Sequence, residues 1–530
     1  MIAIFGISTT SFAQRGHIVL ATTVESWSPE EIMAELDTQF DDPTYALINL
    51  ITYKNYSVSA VKVVYETIDG QGDPAEASGM IFLPQPAEMS YLPMMSYLHG
   101  TLTSFSDLPS NLGGAESVVG WIMAMDGYIS VLPDYLGMGD YSDPSIHPYH
   151  HADTEASASV DLLKAALQYC SSPEVYAKPS GDLYLSGYSQ GAHAALATQR
   201  ELQSDPLPGL TLKKTVAGSG AYSLSYIQKK FMFDNPEYPN TSFIPYLLLG
   251  YEQVYGNLYN SLDEVFVPPY NTDAPGYFDG YMTVEEIDDE LPLNWTDMFV
   301  TKYLNKFKYR YFHPANAAMR ANDLISWKPE SDLHLYYCNC DELVARENSM
   351  LAYWSFIMRG SRSVTCLPLG SFNHRDCAPF VLLLAKIQFD LASGTGPAGF
   401  NPQTAISQYK SGSGKDLSQF YKALDTDATQ DLSEVYSNKM ISEYLAGQSG
   451  LSESLTIYPN PADYEALVQI PDDLPDNSRM HVYDMQGRLL ISENITGTNM
   501  KIDVRALPPG LYRIAIEGQG NYNGKLIVAR

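Results

Sequence analysis

The apolar positions of this 530-residue chain change period more than once. Segments 59–67 (SAVKVVYET) and 77–84 (ASGMIFLP) alternate and are rich in strand-formers, which predicts an antiparallel pair of strands. Two short apolar runs bounded by turn residues follow at 94–99 and 128–133, with a helical period at 116–125 between them. Helix 153–169, the strand formers at 183–185, an Ala-rich helical segment from 192 and strand 213–217 continue the alternation. Strand, helix, strand, helix in that order predicts a parallel sheet with helices on both faces. The leader before residue 59 cannot be assigned by period.

The alternation stops at about 221–327, where helical pieces are punctuated by Pro and aromatic residues and no strand of core quality occurs. An insertion of that size at the edge of a sheet reads as a lid or cap. Alternation then returns with strand 333–338, helix 345–358, strand 363–367 and helix 378–391. Residues 401–447 read as helical and polar, and 447–454 (GQSGLSES) as a linker by composition. From 455 on, short alternating strands are separated by turn signals at Asn460-Pro461, Gln486-Gly487 and Pro508-Pro509-Gly510. The expected organisation is a catalytic domain at 15–446 with its cap, a linker, and a small β-sandwich at 455–530.

Charge narrows the partners. With 62 acidic against 32 basic residues the net charge is -30, which argues against nucleic acid or an anionic membrane surface. Residues 1–14 (MIAIFGISTTSFAQ) form a short apolar run ending in a small-x-small pattern, as in an export signal, although no Lys or Arg precedes it. No later run is long and apolar enough to span a bilayer. Export permits disulfides, and Cys338, Cys340, Cys366 and Cys377 cluster while Cys170 stands apart. Two bridges and one buried thiol are expected, with Cys340–Cys377 one of the three possible pairings; the spacing is poor for zinc.

The chemistry centres on Gly187-Tyr188-Ser189-Gln190-Gly191, a G-x-S-x-G turn between a strand and a helix. Glycines two positions either side give room for a nucleophile held in strained backbone, and the N–H of Gln190 is placed to stabilise an oxyanion. A serine needs a base, and the base an orienting acid. Asp341 lies just past strand 333–338 and His374 on the loop after strand 363–367, so both fall at the edge that Ser189 occupies. Glu342 is the alternative acid. The second oxyanion donor is expected from the Thr101 N–H, with Gly100 next. His147, His150 and His151 with Asp134, Asp140 and Asp143 have the look of a metal cluster, but His151 or Asp153 at a helix N-cap is the simpler reading. No metal or cofactor is expected.

Taken together, HGT at 99–101, PDYLGMG at 133–139, HPYHHADTEASASVDLLKAA at 147–166, SGYSQGAHAA at 186–195, CDELV at 340–344 and NHRDC at 373–377 resemble the secretory lipase family of α/β-hydrolases over residues 55–395. The resemblance implies a mostly parallel sheet flanked by helices, a helical cap, a catalytic triad at Ser189, Asp341 and His374, and hydrolysis of carboxylic esters. Ala345 departs from it, since members often carry Pro there. The tail (IYPNPA at 457–462, VYDMQGRLL at 482–490, LPPGLYRIAI at 507–516, KLIVAR at 525–530) resembles the type IX secretion C-terminal sorting domain, which implies a secretion-machinery partner and a secreted or outer-membrane-surface protein. The expected activity is a serine esterase or lipase acting on a small-molecule or lipid ester through an acyl-enzyme. A serine exopeptidase on the same fold and a non-catalytic surface binding protein are the alternatives.

Overall fold

The computed structural model describes residues 14–40, 45, 48–49, 51–139, 145–310, 312–395, 438, 440–441, 455–460, 462–470, 478–483, 489–517 and 523–528. They fall into two compact units, one within 1–349 and 363–428, the other within 350–362 and 429–530. The expected linker at 447–454, and the export signal apart from Gln14, lie outside the described residues, as does nearly all of 401–447.

The large unit is built on one nine-stranded sheet of order β1-β2-β3-β5-β4-β6-β7-β8-β9. β1 (Ile18–Trp27), β2 (Val58–Ile68) and β3 (Pro74–Pro84) are antiparallel, and β3 meets β5 (Ile129–Pro133) antiparallel as well. β4 (Ser90–Leu98), β5, β6 (Ala177–Tyr188), β7 (Thr211–Gly218), β8 (Asp332–Tyr337) and β9 (Val364–Pro368) run parallel. The last six residues of β6 are all buried, as a central strand covered on both faces requires.

β1 and helix α1 (Pro29–Gln39) occupy the leader that hydropathy leaves unassigned. β1 is an edge strand whose residues are mostly exposed, so burial imposes no alternation on it. α1 does carry a local signal: Ser28 and Glu31 form a capping box ahead of Pro29.

Helices cover both faces. α1, α2 (Glu116–Met125) and α12 (His374–Ser393) pack Leu36, Trp121 and Leu384 into one core with Tyr97 and Tyr184. α3 (Ala152–Cys170) and α4 (Gln190–Ser204) pack Leu162, Ala194 and Ala195 into the other with Leu98 and Leu185. The alanines of α4 bring it close to the sheet.

Between β7 and β8 the cap has helices α5 (Lys229–Asp234), α6 (Phe243–Tyr255), α7 (Tyr270–Tyr277), α8 (Val284–Glu290), α9 (Thr301–Tyr309) and α10 (Pro314–Ala321). Its core is largely aromatic: Tyr246 stacks between Tyr149 and Phe278 at 4.7 and 4.5 Å, and buried Trp295 donates to the Met232 carbonyl at 3.2 Å. α11 (Glu347–Met358) separates β8 from β9.

In the second unit β10 (Thr456–Tyr458), β11 (Glu465–Gln469) and β14 (Asn499–Asp503) form one antiparallel sheet. β12 (Arg479–Tyr483), β13 (Leu489–Asn494), β15 (Gly510–Glu517) and β16 (Asn523–Val528) form another. Alternate residues such as Val468, Ile502, Val482 and Ile514 fill a shared core, which makes a β-sandwich.

Candidate active site

β6 ends at Tyr188 and α4 begins at Gln190, so Ser189 alone makes the turn between them. Its backbone sits at φ 58°, ψ -121°, a region that costs a non-glycine residue about 1–3 kcal/mol. The Ser189 N–H donates to the Gly218 carbonyl at 2.9 Å and so ties the turn to β7. A Cβ at Gly187 would stand 2.0 Å from the Gly191 oxygen, and one at Gly191 would stand 1.8 Å from the Leu98 oxygen. Neither position has room for a side chain.

The structure brings the Ser189 hydroxyl within 2.9 Å of His374 Nε2. On the other side of the ring, Nδ1 lies 2.9 and 2.8 Å from the two Asp341 carboxylate oxygens. Asp341 Oδ1 also accepts the Leu343 and Val344 N–H groups at 3.1 and 2.8 Å, which fixes the carboxylate. Glu342, the alternative acid, instead accepts the backbone N–H of His374 at 3.0 Å and does not reach its ring. Tyr188 donates its hydroxyl to the His374 carbonyl at 2.6 Å and packs its ring 4.9 Å from the imidazole. A hydroxyl, an imidazole and a carboxylate in this series can pass a proton away from the hydroxyl.

Two expectations about this region are corrected. His374 is the first residue of α12 and not part of a loop, because Asn373 caps the helix by accepting the Asp376 N–H at 2.7 Å. The disulfide is Cys338–Cys377, with Cα atoms 6.2 Å apart, rather than Cys340–Cys377. Cys338 follows β8 directly and is buried, whereas Cys340 is turned out to solvent. Cys366 is a buried thiol like Cys170, so there is one bridge where two were expected. Joining positions 39 apart, it stabilises by up to about 4 kcal/mol on chain-entropy grounds.

The cap also holds the acid loop. Gln228 donates to the Leu343 carbonyl at 2.7 Å and accepts the Ala345 N–H at 3.3 Å and Asn348 Nδ2 at 3.0 Å, while Tyr238 donates to the same Leu343 carbonyl. Ala345 therefore uses an N–H that a proline would lack.

Gln190 opens α4, so its N–H has no acceptor one turn back within the helix. Its side chain is locked from behind: Nε2 donates to Glu155 Oε1 at 3.0 Å and faces His147 Nε2 at 2.8 Å. Thr101 bonds its hydroxyl to Tyr149 at 2.8 Å. Burial raises the Glu116 carboxyl above its ordinary value, partly offset by Tyr97 and the Gly100 backbone beside it.

Behind this lies a buried histidine group. His193 Nδ1 meets Glu155 at 2.6 Å and Nε2 donates to the Asn322 carbonyl at 2.9 Å. His150, Glu155 and His193 bring ligand atoms within 4.8 Å of one another, but both nitrogens of His193 and both Glu155 oxygens already have hydrogen-bond partners. His151 is the N-cap of α3 and accepts the Thr154 N–H at 3.3 Å.

Burial pushes His147 down to about 3 and His99 and His151 to about 4, so all three are neutral at pH 7. A depressed base is protonated first in the unfolded chain, so its share of stability is whole above pH ~6.5 and is lost as pH falls toward the folded value. The carboxyls of Glu116 and Asp134, raised by burial, work in the opposite sense over part of that range. We expect His147→Gln to flatten the fall in melting temperature between pH 6.5 and 4, measured by thermal scans against wild type. An unchanged profile would remove His147 from the acid-sensitive set.

Residues 456–529 match the family model described as the secretion system C-terminal sorting domain. No curated protein matches the chain by sequence. Among solved structures, the rice cell wall degrading esterase LipA from Xanthomonas oryzae is 25% identical with a TM-score of 0.60, over 72% of this chain and 97% of its own. A Legionella pneumophila protein described as a hydrolase is 26% identical with a TM-score of 0.62, over 72% of this chain and 100% of its own. The large unit has the α/β-hydrolase fold. Closed Candida antarctica lipase A, 15% identical with a TM-score of 0.54 over 73% and 84% of the two chains, shares the fold. The sorting domain marks the protein as secreted or attached at the cell surface. Among the described residues, no helix is long and apolar enough to cross a membrane.

Three supporting groups of the α/β-hydrolase site escape a reading of sequence alone: Glu116, Glu155 and Gln228. Glu155 leaves a trace, because it sits on the inward stripe of α3 with Ala158 and Leu162, where a carboxylate is out of place unless bonded.

Proposed function

We propose that the protein is a secreted serine hydrolase that cleaves carboxylic esters through an acyl-enzyme. The observation that carries this is the unbroken hydrogen-bonded series from Ser189 through His374 to Asp341 at the end of β6. Ser189 Oγ attacks the acyl carbonyl as His374 Nε2 takes its proton, and Asp341 holds the ring and stabilises the imidazolium. The N–H groups of Gln190 and Thr101 receive the oxyanion. Gly100 is the next candidate after Thr101. His374 then returns the proton to the leaving alkoxide, and water, activated by the same imidazole, releases the acid and frees Ser189.

The esterases and lipases among the structural relatives support an ester over an amide. The test is a panel of 4-nitrophenyl esters beside peptide anilides, with a fluorophosphonate label on the intact protein. The expected result is ester turnover with the label on Ser189. Faster turnover of anilides would move the assignment to a peptidase, and an unlabelled Ser189 with no turnover would leave a binding protein.

A further inference from the structure

The cap reverses the charge of the chain in one place. Residues 298–322 hold no acidic side chain but carry Lys302, Lys306, Lys308, Arg310 and Arg320, in a chain of 62 acidic and 32 basic residues. The end of α9, the turn after it and the start of α10 enclose an open cleft of about 460 Å³, lined by Lys306, Arg310, Phe312, His313 and Pro314. A cleft lined by one sign of charge concentrates the opposite sign from solution.

Most cations around it are engaged. Lys229 donates to Asn316 at 2.8 Å, Lys230 pairs with Asp234 at 2.8 Å, and Lys308 lies 5.0 Å over the Phe233 ring. Among the described residues Lys306 and Arg310 have no carboxylate partner. Their backbone is nevertheless held: the Arg310 N–H donates to the Lys306 carbonyl at 2.9 Å, and the Arg310 carbonyl accepts the His313 N–H at 3.0 Å and Asn316 Nδ2 at 2.9 Å.

His313 supplies the second observation. It is 8% exposed, lies edge-on to Tyr303 at 4.9 Å, and its Nδ1 has no hydrogen-bond partner. A buried nitrogen left so costs about 1–3 kcal/mol, which an oxygen bound beside it would relieve. Burial first, and then the charges of Lys306, Lys229 and Arg310, lower its pKa, so the ring is neutral at pH 7. His313 is also the N-cap of α10, yet its side chain does not cap the helix. The positive end of α10 is thus left open next to Pro314, in the wall of the same cleft.

We propose that this cleft is an anion site that takes a phosphate group, free or as a monoester. Lys306 and Arg310 match its two negative charges, while His313 and the start of α10 add neutral donors. At about 30 Å³ per water-sized group the cleft exceeds a bare ion, which leaves space for the rest of a phosphorylated molecule. A lipid headgroup has the same chemistry. The net charge of -30 opposes approach to an anionic bilayer and favours a soluble source.

The experiment titrates inorganic phosphate into the intact protein at fixed ionic strength, against chloride and acetate. Calorimetry and thermal scans are run on wild type, Lys306→Gln and Arg310→Gln. Wild type should bind phosphate saturably and melt higher with it. Each variant should bind at least about tenfold more weakly, the lower end for losing a hydrogen bond to a charged group. Neither side chain is buried, so melting temperatures without phosphate should match wild type.

Sedimentation with phosphatidylcholine vesicles, alone or mixed in equal parts with phosphatidic acid, separates the sources. Retention on the mixed vesicles that Arg310→Gln abolishes assigns the headgroup, and phosphate binding without retention assigns a soluble ligand; either upholds the site. The proposal is overturned by a wild type that neither binds phosphate saturably nor sediments with the mixed vesicles, or by variants that bind as wild type does. Acetate binding as tight as phosphate also overturns it, because that would leave only a general basic patch.

Discussion

Ser189→Ala is expected to lower kcat for ester hydrolysis by about 10⁶-fold, the scale of losing the nucleophile from a serine hydrolase. Its melting temperature should stay within about 2 °C of wild type, as for a substitution that disturbs no packing. Only the hydroxyl is removed, and that hydroxyl makes one hydrogen bond, to His374 Nε2. The turn is held by backbone, through the Ser189 N–H on Gly218 and the closely packed Gly187 and Gly191. Alanine therefore inherits the strained conformation unchanged. Steady-state turnover of a soluble ester and a thermal scan decide the matter. A loss of less than about 100-fold would point to a different nucleophile.

Asp341→Asn should cost about 10⁴-fold in kcat with KM little changed. The reason lies in how the carboxylate is anchored. Oδ1 accepts two backbone N–H groups, from Leu343 and Val344, so the carbonyl oxygen of an asparagine would take that place. Its amide NH₂ would then face His374 Nδ1, which must accept, leaving the ring proton on Nε2. An Nε2–H directed at Ser189 cannot take the serine proton. Raising the pH should not restore the variant, because the fault is a tautomer rather than a charge. A loss under about tenfold, or recovery at alkaline pH, would mean that Asp341 does not orient the base.

The parallel half of the sheet is legible in the sequence because buried strands and amphipathic helices each impose a period. β1 is not, since an exposed edge strand is free of that constraint. The contact among Ser189, His374 and Asp341 is legible for a topological reason: parallel strands deliver their following residues to one edge. His374 nevertheless belongs to a helix, and the sign of it was the short Asn373 to Asp376 cap rather than hydropathy. The supporting groups are harder. Gln190 meets Glu155 across 35 positions and Gln228 meets Leu343 across 115, and no local pattern announces either pairing. Cysteine spacing likewise leaves the bridge undecided, because the choice between Cys338 and Cys340 depends on which one faces inward.

The bonds from Gln228 and Tyr238 to the loop that carries Asp341 bear on how anything enters. They lie at the stem of the cap, beside the point where the chain leaves β7, and they make that stem and the acid a single mechanical piece. Swinging the stem outward would drag the carboxylate away from the imidazole. Any rearrangement of the stem would thus be felt directly at the Asp341–His374 pair.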